Sequence, residues 1–159
     1  MMNIKTGIGQ DSHRFEKYEG KPLMLAGIQF EHPFGLEGNS DADVVFHSIT
    51  NSISSITGVN ILGDVADQLV ESGQKDSSVY LNLALNDLGD WKINHIAIAI
   101  ECRMPKIFSQ IDSMKKNIAK ICKISASDVG ITATTGENLT AFGRGEGIQA
   151  ITIITVIKS

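Results

Sequence analysis

The run His95-Ile96-Ala97-Ile98-Ala99-Ile100 offers no polar face. Read as a strand, it turns three isoleucines to one side and two alanines to the other, so both sides must be covered. The narrow alanine face suits a closely packed helix, and the bulky isoleucine face suits another apolar layer. Ile148 to Ile157 repeats the demand, being apolar on both faces. A chain of 159 residues has room for one real core, and residues 1–159 contain no stretch resembling a linker, so a single domain is expected. The expected fold is α+β, a mixed β-sheet with helices packed on one face. The other apolar face then needs a partner, and a second copy of the chain would supply it.

The remaining periodicities fill in the elements. Ile4 to Phe15 reads as a strand, and Leu23-Met24-Leu25 with Ile28-Gln29-Phe30 as a hairpin about Ala26-Gly27. Ser40 followed by Asp43 makes a capping-box pattern. Val45, Ile49, Ile53 and Ile56 then recur at helical spacing until Gly58. Ser77 to Leu88 supplies a second helix, stopped by Gly89, and Ile107 to Cys122 a third, with a strand at Val129 to Thr135. There is no internal repeat.

Fourteen basic and eighteen acidic residues leave a net charge of −4, spread without runs. Nucleic acid and anionic membrane are therefore poor partners, and a small molecule is the expected one. Cys102 and Cys122 form no Cys-x-x-Cys pair, and there is neither a signal-like start nor a long apolar span, so two free thiols in a cytoplasmic protein are expected.

Chemistry enters at Asp11 and His13, two residues apart on the first strand and therefore on one face, where both can grip one ion. His47, in the second turn of the first helix, can complete a set of three. Zinc held by three protein ligands keeps a fourth position for water or substrate, the mark of a catalytic site. Asp43 lies one turn before His47. It is placed either to accept the proton of the imidazole nitrogen turned away from the metal or simply to favour the helix dipole. His32, in a polar turn, and His95, at the start of a strand, are ordinary surface histidines. A second cluster joins Thr132-Ala133-Thr134-Thr135-Gly136-Glu137 to Gly143-Arg144-Gly145-Glu146-Gly147. Hydroxyls, bare backbone N–H groups and an arginine suit phosphate oxygens. The same residues also read as plain turns with an Arg144–Glu146 ion pair. Gly7-Ile8-Gly9 lacks the third glycine of a dinucleotide fingerprint.

Taken in order, Gly7-Ile8-Gly9-Gln10-Asp11-Ser12-His13-Arg14-Phe15, Ser40-Asp41-Ala42-Asp43-Val44-Val45-Phe46-His47, Gly63-Asp64, Met104-Pro105-Lys106, Ala133-Thr134-Thr135-Gly136-Glu137 and Gly143-Arg144-Gly145-Glu146-Gly147 form a pattern. It resembles the 2-C-methyl-D-erythritol 2,4-cyclodiphosphate synthase family over nearly the whole chain. The resemblance implies a homotrimer of the non-mevalonate route to isoprenoid precursors, with active sites shared between neighbouring subunits. The implied reaction closes a cytidine diphosphate ester on itself, the 2-phosphate attacking the β-phosphorus and CMP leaving. A nucleophile carried by the substrate accounts for the lack of any Ser-His-Asp or Cys-His arrangement.

The resemblance also implies roles. Zn2+ would sit on Asp11, His13 and His47, and Mg2+ or Mn2+ on Glu137. Thr135 and Asn39 would stabilise the transition state. The substrate-facing set would be Asp11, Ser12, His13, Ser40, Asp64, Val65, Ala66, Cys102, Met104, Lys106, Ile107, Phe108, Thr134, Glu137 and Arg144. Within it Asp64 holds ribose hydroxyls, the segment from Met104 to Phe108 reads cytosine through its backbone, and Lys106 meets phosphate. Arg144 and Glu146 correspond to the threefold axis, where the family has an apolar cavity that takes isoprenoid diphosphates. Three departures stand out: Asn39 replaces a common histidine, Asn138 a common lysine, and Val65 to Gly73 forms a shortened loop in which Glu71 is the candidate for the polyol hydroxyls. The first two remove cationic groups from the diphosphate clamp. A zinc phosphoesterase and a non-catalytic trimeric binding protein are the competing readings.

Overall fold

The computed structural model describes residues 2–158. Strand β1 (Asn3–Arg14) is followed by the short hairpin strands β2 (Leu23–Leu25) and β3 (Ile28–Phe30) and by helix α1 (Val44–Thr57). Then come α2 (Asp64–Glu71), α3 (Ser77–Asp87), β4 (Lys92–Glu101), α4 (Ile111–Cys122), β5 (Val129–Thr134) and β6 (Gly147–Lys158). Four strands form one mixed sheet in the order β1-β6-β4-β5; β6 runs antiparallel to both neighbours, whereas β4 and β5 are parallel. β4 reaches β5 through α4, the crossover that a parallel pair requires.

Pairing register decides what faces the helices. Ile8 lies opposite Ile153 and Gly9 opposite Thr152, so Gly7, Gly9, Asp11 and His13 share a side with Ile148, Ala150, Thr152 and Ile154. That side is buried beneath the helices. Ile96, Ile98 and Ile100 of β4 point the same way and join Phe46, Ile49, Ile53, Met114 and Ile118 in one core. The expected assignment of the two faces of this strand is thus reversed. The isoleucines meet the helices, and it is Ala99 that stands exposed on the open side. The reason lies in the helices: α4 and α1 reach the centre of the sheet with branched and aromatic side chains, leaving depth to be filled from below.

α1 lies unusually close to β1. A Cβ at Gly7 would come within 2.2 Å of the Ser52 carbonyl oxygen, and one at Gly9 within 2.1 Å of that of Ser48. The two glycines are therefore packing residues. Contact is strengthened by Ser55, whose Oγ accepts the Ile8 N–H at 3.1 Å, and by Asn51, whose Nδ2 donates to the Gln10 carbonyl at 3.0 Å.

Three further expectations change. The N-cap of α1 is Asp43, not Ser40, whose Oγ instead accepts the Ala42 N–H within the preceding turn. Residues read as a shortened loop form helix α2, with Asp64 and Asp67 in its first turn and no buried residue. The third helix begins at Ile111 after a 3-10 turn at Phe108–Gln110. On the far side of the sheet Ile4, Ile8, Ile151 and Ile153 remain 62, 62, 36 and 45% exposed. No helix among the described residues is long and apolar enough to cross a membrane.

Candidate metal centre and phosphate pocket

The close approach of α1 to β1 builds the first site. Two residues beyond Gly9 stands Asp11, and one residue before Ser48 stands His47, so the helix turn that presses on the glycine delivers the imidazole to the carboxylate. Asp11 Oδ2 lies 2.9 Å from His47 Nδ1 and 3.1 Å from His13 Nε2. All three donor atoms fall within 4.8 Å of one another, the one such grouping of three among the described residues. Ligand atoms around a tetrahedral zinc stand about 3.3 Å apart, so the spacing suits a single ion.

Electrostatics agree. Burial by itself would raise the Asp11 carboxyl, but the His13 and His47 imidazoles set against it outweigh that and hold the group well below the ordinary carboxylate range. It is an anion facing two imidazole nitrogens. His47 is 7% exposed. Its other nitrogen, Nε2, lies 2.8 Å from Ser77 Oγ at the start of α3, and that hydroxyl donates to Asp41. A hydroxyl whose hydrogen is committed to a carboxylate can only accept from the imidazole, so Nε2 carries the proton and Nδ1 is left with a lone pair. Two lone pairs, on Nδ1 and on Asp11 Oδ2, then face each other at 2.9 Å. A cation between them satisfies both, and the donor set fits zinc.

Asp43 takes no part in this. Its Oδ1 accepts from Val45 N and Phe46 N at 3.1 Å and from Ala26 N at 2.9 Å, while Oδ2 accepts from Gly27 N at 2.6 Å. The helix cap consumes the carboxylate. Burial raises the group's pKa against those donors. Of the two roles the sequence left open, orienting His47 or favouring the helix start, it takes the second as the cap of α1, and it also pins the β2–β3 turn there. The imidazole meets Ser77 and, through it, Asp41 instead, and neither was singled out from the sequence.

The second cluster sits at the other edge of the sheet. Arg103, Lys106, Thr135, Glu137, Asn138 and Gly143 line a cavity of about 270 Å³. Gly136, Glu137 and Asn138 turn through positive φ of 71, 52 and 62°, which swings the Glu137 carboxylate outward at the end of β5. Glu137 is a lone exposed carboxylate; magnesium is commonly held by one such group together with substrate phosphates and water, so the fit is adequate. Arg103 is the cation that sequence reasoning passed over, since the base-reading segment was taken to begin beyond it. Cys102 and Ile107 are buried and can offer a ligand only backbone, whereas Met104 and Phe108 are 46 and 87% exposed.

Other candidates divide. Ser12, His13, Arg14, Phe142 and Glu146 border a separate cavity of about 250 Å³. There Glu146 accepts from Arg144 Nε at 2.9 Å and from Arg14 Nη1 at 3.3 Å, the structural ion pair that the sequence left open. Arg144 is thus spoken for. Thr134 ends β5, Asn39 and Ser40 lie in the loop before α1, and Asp64, Val65 and Ala66 open α2. His32 stacks on Phe15 at 4.5 Å in its turn, and His95 is exposed on β4. The metal triad lies on β1 and α1, the phosphate cluster at the end of β5, with β6 and β4 between. Asp11 and Ala133 are level across the sheet through Ala150 and Ile100. Three strand spacings put them about 14 Å apart.

A model of the YgbB family matches residues 4–157. The chain belongs to that family. Among curated YgbB-type relatives, the 2-C-methyl-D-erythritol 2,4-cyclodiphosphate synthase of Chlamydia felis is 48% identical over 157 residues, 97% of this chain and 89% of that one. The bifunctional IspDF from Campylobacter jejuni superposes with a TM-score of 0.90 at 28% identity; it covers all of this chain, which spans 43% of that longer protein. A CDP-bound 2C-methyl-D-erythritol-2,4-cyclodiphosphate synthase gives a TM-score of 0.80 at 26% identity, over 96% of this chain and 99% of that one.

Proposed function

We propose that this protein converts 4-diphosphocytidyl-2-C-methyl-D-erythritol 2-phosphate to 2-C-methyl-D-erythritol 2,4-cyclodiphosphate and CMP, in the cytoplasm, as a homotrimer. The observation that carries the reading is the open three-donor grouping of Asp11, His13 and His47 in a member of a family whose relatives bear that name. A 2-phosphate oxygen forms a bond to the β-phosphorus while the bond from that phosphorus to the oxygen bridging to the α-phosphate breaks, and CMP carries the electron pair away. No proton need move, so the buried Ser77 hydroxyl beside His47, whose hydrogen is given to Asp41, is not called on as a nucleophile. Zn2+ on the triad and Mg2+ or Mn2+ on Glu137, when bound, withdraw charge from the phosphate oxygens.

The chain's own groups supply position and field. Asp11 Oδ2, His13 Nε2 and His47 Nδ1 would hold the first ion. Thr135 and the Asn39 amide donate to the oxygens on which charge builds, and Lys106 with Arg103 hold the diphosphate as unpaired cations. Ser40 and Thr134 meet phosphate or polyol. Asp64, at the exposed first turn of α2, accepts from ribose hydroxyls, with Val65 and Ala66 beside it and Glu71 at the other end of the same helix. Ser12 borders the substrate next to the triad. Backbone between Cys102 and Phe108 reads cytosine, consistent with a segment whose Cys102 and Ile107 side chains belong to the core. The separation of about 14 Å between the two clusters supports a site completed by a neighbouring subunit, because one diphosphate cannot reach across three strands. The exposed isoleucine face supplies the surface for that contact. The axial role of Arg144, Glu146 and an isoprenoid diphosphate belongs to the same reading.

Turnover of the natural ester with zinc and magnesium, followed by phosphorus NMR in isotopically heavy water, tests it. Cyclic diphosphate and CMP free of solvent oxygen are expected; incorporation of solvent oxygen into a ring-opened product would instead establish a phosphoesterase. His47→Ala should lower the rate by at least about 100-fold with the fold intact.

A further inference from the structure

We propose that Ser77 and Asp41 act as positioning residues for the metal ligand His47, fixing by a two-step hydrogen-bond relay which imidazole nitrogen is free to bind the ion. This rests on the reading that the triad holds a cation, and deepens it.

Three independent contacts set the relay's direction. Ser77 is fully buried as the first residue of α3, and its Oγ stands 2.8 Å from His47 Nε2. That Oγ also donates to Asp41 Oδ1, while the Ser77 N–H donates to Asp41 Oδ2 at 3.2 Å. The Asp41 carboxylate therefore takes both groups of one residue, side chain and backbone, and does so at the start of a helix, where exposed N–H groups favour an anion. Asp41 is itself anchored: its N–H donates to the Lys75 carbonyl at 2.9 Å, and its Oδ1 accepts the Asp43 N–H at 3.2 Å. With the carboxylate fixed, the serine hydrogen has one direction in which to point, and the serine lone pair has one donor to accept from. His47 is held with hydrogen on Nε2 and the lone pair of Nδ1 directed at Asp11.

The relay also ties three segments to the ion. Its members come from the loop before α1, from α1 and from α3, so the position of α3 is communicated to the ion through the ligand that its first residue touches. Outer partners of this kind tune ligand basicity and orientation, and their loss commonly weakens metal binding by about 10- to 100-fold.

Zinc affinity measured against a chromophoric chelator, together with nitrogen-15 shifts of the metal-free His47 ring, tests the proposal. Ser77→Ala and Asp41→Asn should each weaken zinc binding by about 10- to 100-fold, and Ser77→Ala should in addition release the Nε2–H tautomer into a mixture. Ser77→Thr, which keeps the hydroxyl, should restore both. If Ser77→Ala does not fold, Asp41→Asn and Ser77→Thr carry the comparison. Affinities within twofold of the parent for both Asp41→Asn and Ser77→Ala, or a parent His47 protonated on Nδ1 alone, would overturn the relay. A parent protein that binds no zinc would overturn the metal reading itself, a distinguishable result.

Discussion

At the scale of single residues, the competition for each polar group decided its role. Asp43 stands four residues before His47, the right interval for a side-chain contact along a helix, yet four backbone N–H groups at a chain turn outbid the imidazole. Spacing alone could not reveal this, because it assumes that the acid already lies on the helix rather than capping it. The relay through Ser77 to Asp41 was equally hidden, since it joins residues 30 positions apart in a contact fixed only by tertiary packing. Asp11 and His13, by contrast, were legible because alternation along a strand is nearly invariant. The cysteines yield a prediction at this scale. Burial pushes the Cys102 thiol up to about 11 and the Cys122 thiol up to about 12. In the folded protein at pH 8 both should react with iodoacetamide about 100-fold or more slowly than an ordinary thiol, and at the ordinary rate in urea. Mass spectrometry of a labelling time course checks it. Unfolded thiols lose protons near 9.0, whereas the folded ones keep them to about 11 and 12, so their contribution to stability is whole below pH 9 and declines as pH rises through that window.

Among elements, the pairing of α1 with β1 matters most. The Gly7-Ile8-Gly9 motif was legible as glycine-rich but not as a helix seat, because its meaning depends on what lies above it. Gly9→Ala would push a methyl into the Ser48 carbonyl and the Asn51–Ser52 backbone. The expected cost is about 1–3 kcal/mol, read as a lowered melting temperature, with zinc affinity falling in parallel as His47 is lifted from Asp11. A variant that melts normally and binds zinc normally would separate the two features. Helix α2 escaped notice for a different reason. It is eight residues long and buries none fully, so although Ala66, Leu69 and Val70 pack on the core and Asp64 and Asp67 mark its start, so short a run reads equally as a loop. The strands were legible to within a residue at most ends, except that β4 starts at Lys92, three residues before His95, where polar Lys92 and Asn94 hide the alternation.

For the whole molecule, a sheet with helices on one face and isoleucines bare on the other was foreseeable from two strands lacking a polar side. Which side the helices would take was not, because that depends on the volumes they bring. The distribution of site residues over opposite sheet edges leads to a sharp expectation. His47→Ala and Glu137→Ala, each inactive alone, should complement when co-expressed under separate tags, because a mixed assembly contains sites drawing an intact triad from one subunit and an intact Glu137 from the next. A trimer carrying both tags holds one junction at which an intact triad meets an intact Glu137, so about a third of parental turnover is expected in the doubly tagged fraction. Absence of recovery in assemblies that carry both tags would confine each site to one chain.

Ser55 and Asn51 have a wider bearing than the packing they secure. Strand rims with bare amide and carbonyl groups serve as templates onto which further ribbons zip, the ordinary route to fibrils. Here the outward-facing amide of Ile8 and carbonyl of Gln10 are already occupied from above. Midway along that margin the rungs a further ribbon would need are thus withheld, which disfavours lateral zipping and leaves the broad open face as the surface on which a partner can seat.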